Sequence, residues 1–431
     1  MRLLHTSDWH LGQTLHNFDR IHEHQCFLDW LVGTLDAERI DVLLIAGDIF
    51  DNANPSSAAH RQLYRFLQQA RSRVPHLQVV VIAGNHDSAG RLEAPTPLLE
   101  AYGTIVVGNV LRSSDGEVDL DRLLVPLHDR DGKVAAWCLA VPFLRPGDVP
   151  RLRAAAGDAA SEAASEAASD APGLDPYLQG TTLLYRQAYA LARERATEGQ
   201  AIIAMGHCHM VDGQASLDSE RRIVIGGTEA LPSSMFDPGI AYAALGHLHL
   251  AQKVGGRENV RYSGSPLPLS FSEVNYQHQV LRIDLEGDHA VDITPLFVPR
   301  AVALLRVPAK PAPLDEALAA LEALELDPDL PQHAWPFLEV RVLLDGPEPG
   351  LRARIEALLA GKPVRLAKIE PTRKHVAVDD TELALSLDQL AQLQPDDVFR
   401  RLWLQKYGAE APPEQIASFA ELFHAVEGEP R

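Results

Sequence analysis

Thiols are scarce in this chain. Cys26, Cys138 and Cys208 are its three cysteines, an odd number spread far apart over 431 residues. That pattern argues against a disulfide framework and fits a reducing cytoplasm. Thiol clusters of the kind that close a structural zinc site are also missing. No apolar run approaches the roughly 20 residues needed to cross a bilayer, so no membrane attachment is expected. The N-terminus opens on a strand-like Met-Arg-Leu-Leu-His, not a basic stretch followed by an apolar one, so no secretory signal is read there. Positive charge is short as well: 39 Lys and Arg against 59 Asp and Glu leave a net charge of −20. Free-standing nucleic-acid binders neutralise phosphates with clustered Lys and Arg, which argues against that class. A nuclease is not excluded, because bound divalent cations invert the local field of an acidic site, and a partner subunit can supply basic surface.

What is present is an ordinary globular balance, with 46% hydrophobic and 23% charged residues, over a length that calls for two or three domains. From residue 1 to about 150, apolar runs alternate with helical spacing. Asp41–Ala46 and Gln78–Ala83 read as buried strands, and Ser56–Arg73 as a helix with Leu63, Phe66, Leu67 and Ala70 on one face. This order predicts an α/β sheet domain whose loops at the strand ends carry the ligands. Residues 154–173 form an Ala-, Ser- and Glu-rich tract with a four-residue period and nothing to anchor it in a core, so it reads as a mobile insertion. Strand-like segments resume at Ala201–Met205, Arg222–Ile225, Ala241–Leu245 and Gln279–Leu285. After Pro299 the composition shifts, and 301–370 reads strand, helix (Leu314–Leu324), strand (Phe337–Leu344), helix (Leu351–Ala360), strand. Residues 379–427 read as a helical arm with paired apolar positions (Phe399, Leu402, Trp403 and Tyr407, then Ile416, Phe419, Leu422 and Phe423), free to dock on a partner or to pack on its own domain.

Five short motifs share one form, an apolar strand followed by a loop of metal-type ligands. They are Asp8-Trp9-His10, Gly47-Asp48-Ile49-Phe50-Asp51, Gly84-Asn85-His86-Asp87, Gly206-His207-Cys208-His209 and Gly246-His247-Leu248-His249. A lone Asp-x-His is more often a loop cap than a metal site. Five such loops in one chain point to a dinuclear centre. Carboxylate, amide and imidazole donors together suit Mn²⁺, Fe²⁺ or Zn²⁺. A phosphodiester repels nucleophiles and has a poor leaving group. Two cations about 3.5–4 Å apart can clamp its oxygens and make hydroxide available near neutral pH. Asp48 is the natural bridging carboxylate, and His86, beside a ligand but not itself one, suits protonation of the leaving oxygen.

This motif set resembles the calcineurin-like metallophosphoesterase superfamily. The longer phrases His5-Thr6-Ser7-Asp8-Trp9-His10-Leu11-Gly12, Gly84-Asn85-His86-Asp87-Ser88 with Arg91-Leu92, and Tyr262-Ser263-Gly264-Ser265-Pro266 with Leu269-Ser270-Phe271 look more narrowly like its SbcD branch of bacterial nucleases, over nearly the whole chain. The resemblance implies a metallophosphoesterase β-sandwich flanked by helices over 1–298, a small α+β DNA-capping domain over 299–375, and a helical C-terminal arm over 376–431 that binds the ATPase partner. It implies that Asp8, His10 and His249 hold one metal, that Asn85, His207 and His247 hold the other, that Asp48 bridges, and that His86 is the acid. It further implies two Mn²⁺ ions, DNA as substrate (double-stranded ends and hairpins), an SbcC-type coiled-coil ATPase, a homodimer within a heterotetramer, and a cytoplasmic, nucleoid-associated place of work.

Several residues carry expectations of their own. His209 is expected beside the site and not in it, Cys208 is a small strand-end residue, and the 154–173 tract is no part of the family pattern. His22 and His24 are expected to be exposed or to support ligands, and Trp9 to pack under the metal loop. His16, Arg91 and Ser265 are candidate substrate contacts, Arg91 having a salt bridge as its alternative. Asp87 is expected to cap the following helix, or else to orient His86. Competing readings are a phosphoesterase acting on a small nucleotide or a phosphoprotein, and a non-catalytic scaffold. Against phosphoprotein phosphatases, Gly47–Asp51 lacks the Arg that follows there, and residue 87 is Asp where Glu is usual. The intact ligand set argues against a scaffold.

Overall fold

The computed structural model describes residues 1–150, 175–211, 213–215, 230–346 and 348–373, and most positions from 399 to 419. The expected insertion at 154–173, the strand Arg222–Ile225 and much of the expected arm lie outside those residues.

Two six-stranded sheets form the framework. In the first, β1 (Arg2–Thr6), β4 (Val42–Ala46), β5 (Gln78–Ile82) and β6 (Thr104–Val107) run parallel, while β13 (Gln279–Glu286) and β14 (His289–Phe297) extend it antiparallel beyond β1. In the second, β8 (Val134–Ala140), β9 (Ala201–His207), β10 (Tyr242–Gly246) and β12 (Arg257–Tyr262) run parallel, closed at the edges by antiparallel β7 (Leu124–His128) and β11 (Gln252–Val254).

Successive side chains of a strand point to opposite faces, which explains why β4 and β5 are apolar throughout. Val42, Leu44, Ala46, Val80 and Ile82 share one core with Ile203, Ala204 and Ala244 of the second sheet. Leu43, Ile45, Val79 and Val81 face the other way, onto Phe27, Leu31 and Leu35 of α1 (Ile21–Ala37) and Leu63, Phe66 and Ala70 of α2 (Ser57–Arg73). The central strands of the first sheet are therefore buried on both sides, and the two sheets form a β-sandwich flanked by helices. Helix α2 starts where Ser56 accepts the Ala59 N–H at 3.2 Å and stops at Arg73, two residues before Pro75, which disfavours helix at Val74. On the second sheet, α5 (Pro176–Arg195) packs against β8 and β9.

Downstream, β15 (Leu304–Pro313), α6 (Leu314–Glu322), β16 (Phe337–Leu344), α7 (Leu351–Leu359) and β17 (Arg365–Arg373) follow the expected alternation, and the strands form a sheet in the order β15-β16-β17. The chain divides into two compact units. One comprises Met1–Leu305, Leu326–Glu339 and Lys362–Lys368; the other comprises Arg306–Glu325, Val340–Gly361 and Ile369–Arg431. In the second unit, α6 and α7 pack together through buried Ala317, Leu321, Ile355 and Leu359. Among the described residues of the expected arm, Phe399 and Leu402 to Leu404 are helical, and the Phe399 ring stacks on Phe419 at 4.4 Å. No helix among the described residues is long and apolar enough to cross a membrane.

Candidate metal centre

In both sheets the ligand-bearing loops leave the C-terminal ends of parallel strands, and the two sets of loops meet. Asp8 and His10 follow β1, Asp48 follows β4, and Asn85 and His86 follow β5; His207 closes β9, and His247 and His249 follow β10. Asp8 (φ 55°), His10 (47°), Asp48 (48°) and His247 (106°) all adopt left-handed backbone that side chains rarely tolerate. Such strain persists only where neighbours enforce it. Here the loops are tied to one another: the Asp8 N–H donates to Gly47 O at 3.0 Å, His10 N–H to Asp48 O at 3.0 Å, and Leu11 N–H to Ile49 O at 2.9 Å. Two glycines are required by space. A β-carbon on Gly84 would collide with the Asp48 carboxylate, and one on Gly47 with the His207 imidazole.

The expected ligands converge. Donor atoms of Asp8, His10 and His249 lie within 4.8 Å of one another, as do those of Asp8, Asp48 and His207. Asp48 Oδ2 stands 3.6 Å from His10 Nε2 and 3.4 Å from His207 Nε2, so it reaches one histidine of each expected set. Asn85 Oδ1 lies 2.9 Å from His207 Nε2 and 3.0 Å from His247 Nδ1. A third cluster, His10, Asp51 and His86, adjoins them. His86 donates Nδ1–H to the Asp51 carbonyl at 2.7 Å and its backbone N–H to Asp48 Oδ1 at 2.8 Å. Asn85 and His86 are half-buried, whereas Asp8, His10, Asp48, His207, His247 and His249 are buried.

Electrostatics in this cluster favour a cation. Burial, and then the neighbouring Asp48 charge, raise the Asp8 carboxyl, although nearby histidines oppose the shift. Burial also works to raise Asp48, but the charge and hydrogen bond of His207 prevail and hold it well below the carboxylate range. Burial works to lower His207, yet the Asp48 carboxylate drives it up to about 9. His247 is held well below its ordinary value, first by burial and then by His207. Buried His10 makes no well-formed hydrogen bond through either ring nitrogen, Nδ1 standing 3.4 Å from Asp51 Oδ1 and Nε2 3.6 Å from Asp48 Oδ2, and a cation on the unprotonated nitrogen would satisfy it. Packed carboxylates, imidazoles and an amide oxygen with such an orphan fit divalent metal ions.

Supporting contacts orient the set. His207 donates Nδ1–H to the Ala46 carbonyl at 2.9 Å, which fixes the ring so that Nε2 is the nitrogen turned to Asn85 and Asp48. His249 Nδ1 meets Glu273 Oε1 at 2.9 Å. Ser7 Oγ donates to Asp8 Oδ2 at 2.5 Å and lies 2.9 Å from Ser263 Oγ. Trp9 is fully buried, edge-on to Phe27 and Phe66 beneath the loop as expected, and His24 Nε2–H donates to its carbonyl at 3.0 Å. His22 is half-buried against His333, 4.3 Å between ring centres. His209 is half-buried, 6.1 Å from the His247 ring and in none of the ligand clusters. Half-buried Cys208 directs its thiol to Met210 Sδ at 3.6 Å.

Two expectations need correction. Asp87 does not cap the next helix, α3 (Ala89–Glu93), whose N-cap is Ser88, and it does not hold His86. Its carboxylate instead accepts the Gly84, Ile49 and Phe50 N–H groups at 2.9, 3.2 and 3.0 Å, lashing the β5 loop to the β4 loop. Ser265 is fully buried and donates to the Leu267 carbonyl at 2.9 Å, so its hydroxyl is no substrate contact. Of the other candidate contacts, His16 is exposed at the turn between β2 (Thr14–Leu15) and β3 (Phe18–Asp19), and exposed Arg91 bonds the Asn54 amide rather than a carboxylate. Sequence reasoning gave no role to Asp51 or Glu273. Asp51 sat inside a ligand motif, and Glu273 two residues past Leu269-Ser270-Phe271, each a cue too slight to separate it from a surface acid.

Comparison with known proteins agrees with this geometry. The calcineurin-like phosphoesterase family matches residues 1–251, and a family described as type 5 capsule protein repressor C-terminal domain matches 300–407. The SbcD component of the nuclease SbcCD from Rhodobacter capsulatus is 44% identical over 380 residues, covering 88% of this chain and 89% of its own. The SbcD components from Escherichia coli K12 and Bacillus subtilis are 33% and 29% identical, each covering 100% of this chain and 99% of its own.

Proposed function

The chain belongs to the calcineurin-like phosphoesterase family, among the SbcD nucleases, and on that footing we propose that it hydrolyses DNA phosphodiester bonds with two divalent cations, Mn²⁺ in the cell. The convergence of Asp8, His10, Asp48, Asn85, His207, His247 and His249 from the strand ends of both sheets carries the reading. Asp8, His10 and His249 would hold one ion, and Asn85, His207 and His247 the other, with Asp48 between them. When bound, the pair supplies charge neutralisation at the phosphoryl group and an acidified water.

The remaining work falls to the protein. As the imidazolium, with Nδ1–H anchored on the Asp51 carbonyl, His86 would deliver its Nε2 proton to the departing oxygen. The backbone ties between loops hold the set in place before substrate arrives, so little reorganisation remains for the reaction itself. We further assign residues 299–375 to capping DNA and 376–431 to an SbcC-type coiled-coil ATPase, within a cytoplasmic assembly containing two copies of this chain.

The test is co-expression with the ATPase from the same host, followed by Mn²⁺-dependent assays. Linear duplex should shorten and hairpins should open, and both activities should cease with chelator. Fast hydrolysis of a dinucleotide with no cleavage of any DNA would overturn the nuclease reading.

A further inference from the structure

We propose that Glu273 is a positioning residue for the metal centre: it fixes the tautomer and orientation of His249, and so governs one of the two ion sites selectively. The inference rests on the two-ion reading above. Glu273 is fully buried in the segment following β12, and its two oxygens are spoken for differently. Oε2 accepts the Leu269 N–H at 2.7 Å, while Oε1 meets His249 Nδ1 at 2.9 Å. A carboxylate with an amide N–H on one oxygen acts as acceptor on the other, so His249 must place its proton on Nδ1. The lone pair is then on Nε2, in the residue whose donor atom clusters with Asp8 and His10.

The same segment grips this half of the site at two more points. The Ser265 N–H donates to the His249 carbonyl at 3.1 Å, and Ser263 touches the Ser7 hydroxyl that donates to Asp8. His207, in the other half, is oriented by a backbone carbonyl, which no side-chain substitution removes. Glu273 therefore acts on His249 and not on His207. A carboxylate behind a ligating imidazole sets its orientation and raises its basicity, and losing such a partner weakens metal affinity roughly 10- to 100-fold.

The experiment uses the full-length chain, stripped of metal, as wild type, Glu273→Ala and Glu273→Gln. Mn²⁺ titration followed by electron paramagnetic resonance counts the ions and their affinities. Histidine ¹⁵N shifts of the metal-free proteins report the His249 tautomer without any activity. In Glu273→Ala we expect one of two binding events weakened roughly 10- to 100-fold, the other retained, and the His249 proton no longer confined to Nδ1. Glu273→Gln, close in shape, should fall between, because its single carbonyl oxygen can serve only one of the two donors. If Glu273→Ala fails to fold, Glu273→Gln decides by the same two readouts. Equal loss of both ions, or no change in affinity and tautomer, would overturn the proposal. A wild type that takes up no Mn²⁺ would instead sink the two-ion reading, and the tautomer would still decide the role of Glu273.

Discussion

His86 and Asp48 sit side by side yet answer to different chemistry. Asp48 Oδ2 faces His10 and His207, and its Oδ1 accepts the His86 N–H, so removing the carboxylate strips both halves of the cluster at once. The His86 ring lies edge-on to His10 and is anchored on a backbone carbonyl, beside the expected ligand set. We predict that His86→Ala retains two ions by elemental analysis while turnover falls roughly 10²- to 10⁴-fold, the usual scale of a lost general acid. Asp48→Ala should lose metal as well as turnover. A His86→Ala protein that came off the column without metal would assign His86 to the ligand set instead.

At the scale of elements, the strands and the loops they launch were legible to different degrees. Strands β4 and β5 read clearly because both of their faces are buried, which writes an uninterrupted apolar run into the chain. Helix α2 read almost to the residue because one face and an N-cap serine mark it. Strand β14 did not, since it is an edge strand with no buried residue, and it includes Asp292 and Pro295. Within the site, ligands stood out because each follows a strand in its own motif. Glu273 did not, because its partner lies 24 positions away and only folding joins them.

Asp87 was misread for the same reason: nothing local reveals that its carboxylate reaches back 38 and 37 residues to the Ile49 and Phe50 amides. That tie belongs to the loops as elements. Asp87→Ala would leave three buried N–H donors without an acceptor, at roughly 1–3 kcal/mol apiece less what water restores. We expect the melting temperature of the metal-free protein to fall clearly, with Mn²⁺ affinity weakened in parallel. Unchanged melting would show that the two loops hold their shape without it.

Charge is a property of the whole molecule, and it bears on how the protein meets DNA. A duplex repels a chain of net charge −20 at long range, so steering by a general field is unavailable to it. Two divalent ions add four positive charges at one edge, which changes the local field there but hardly the total. Binding strength through phosphates scales with the cations that displace condensed counterions, and the affinity then falls with salt in proportion to their number. With few such contacts, the isolated protein should bind duplex weakly and with a shallow slope of log affinity against log salt, about −2 to −3 if two or three phosphates are neutralised. The assembly with its ATPase partner should bind more tightly and with a distinctly steeper slope, because the partner then contributes the basic surface. Fluorescence anisotropy across a salt series, with calcium in place of manganese to block cleavage, measures both. A steep slope for the isolated protein would mean that its own Lys and Arg side chains gather into a phosphate track despite the acidic total, and the partner would lose that role.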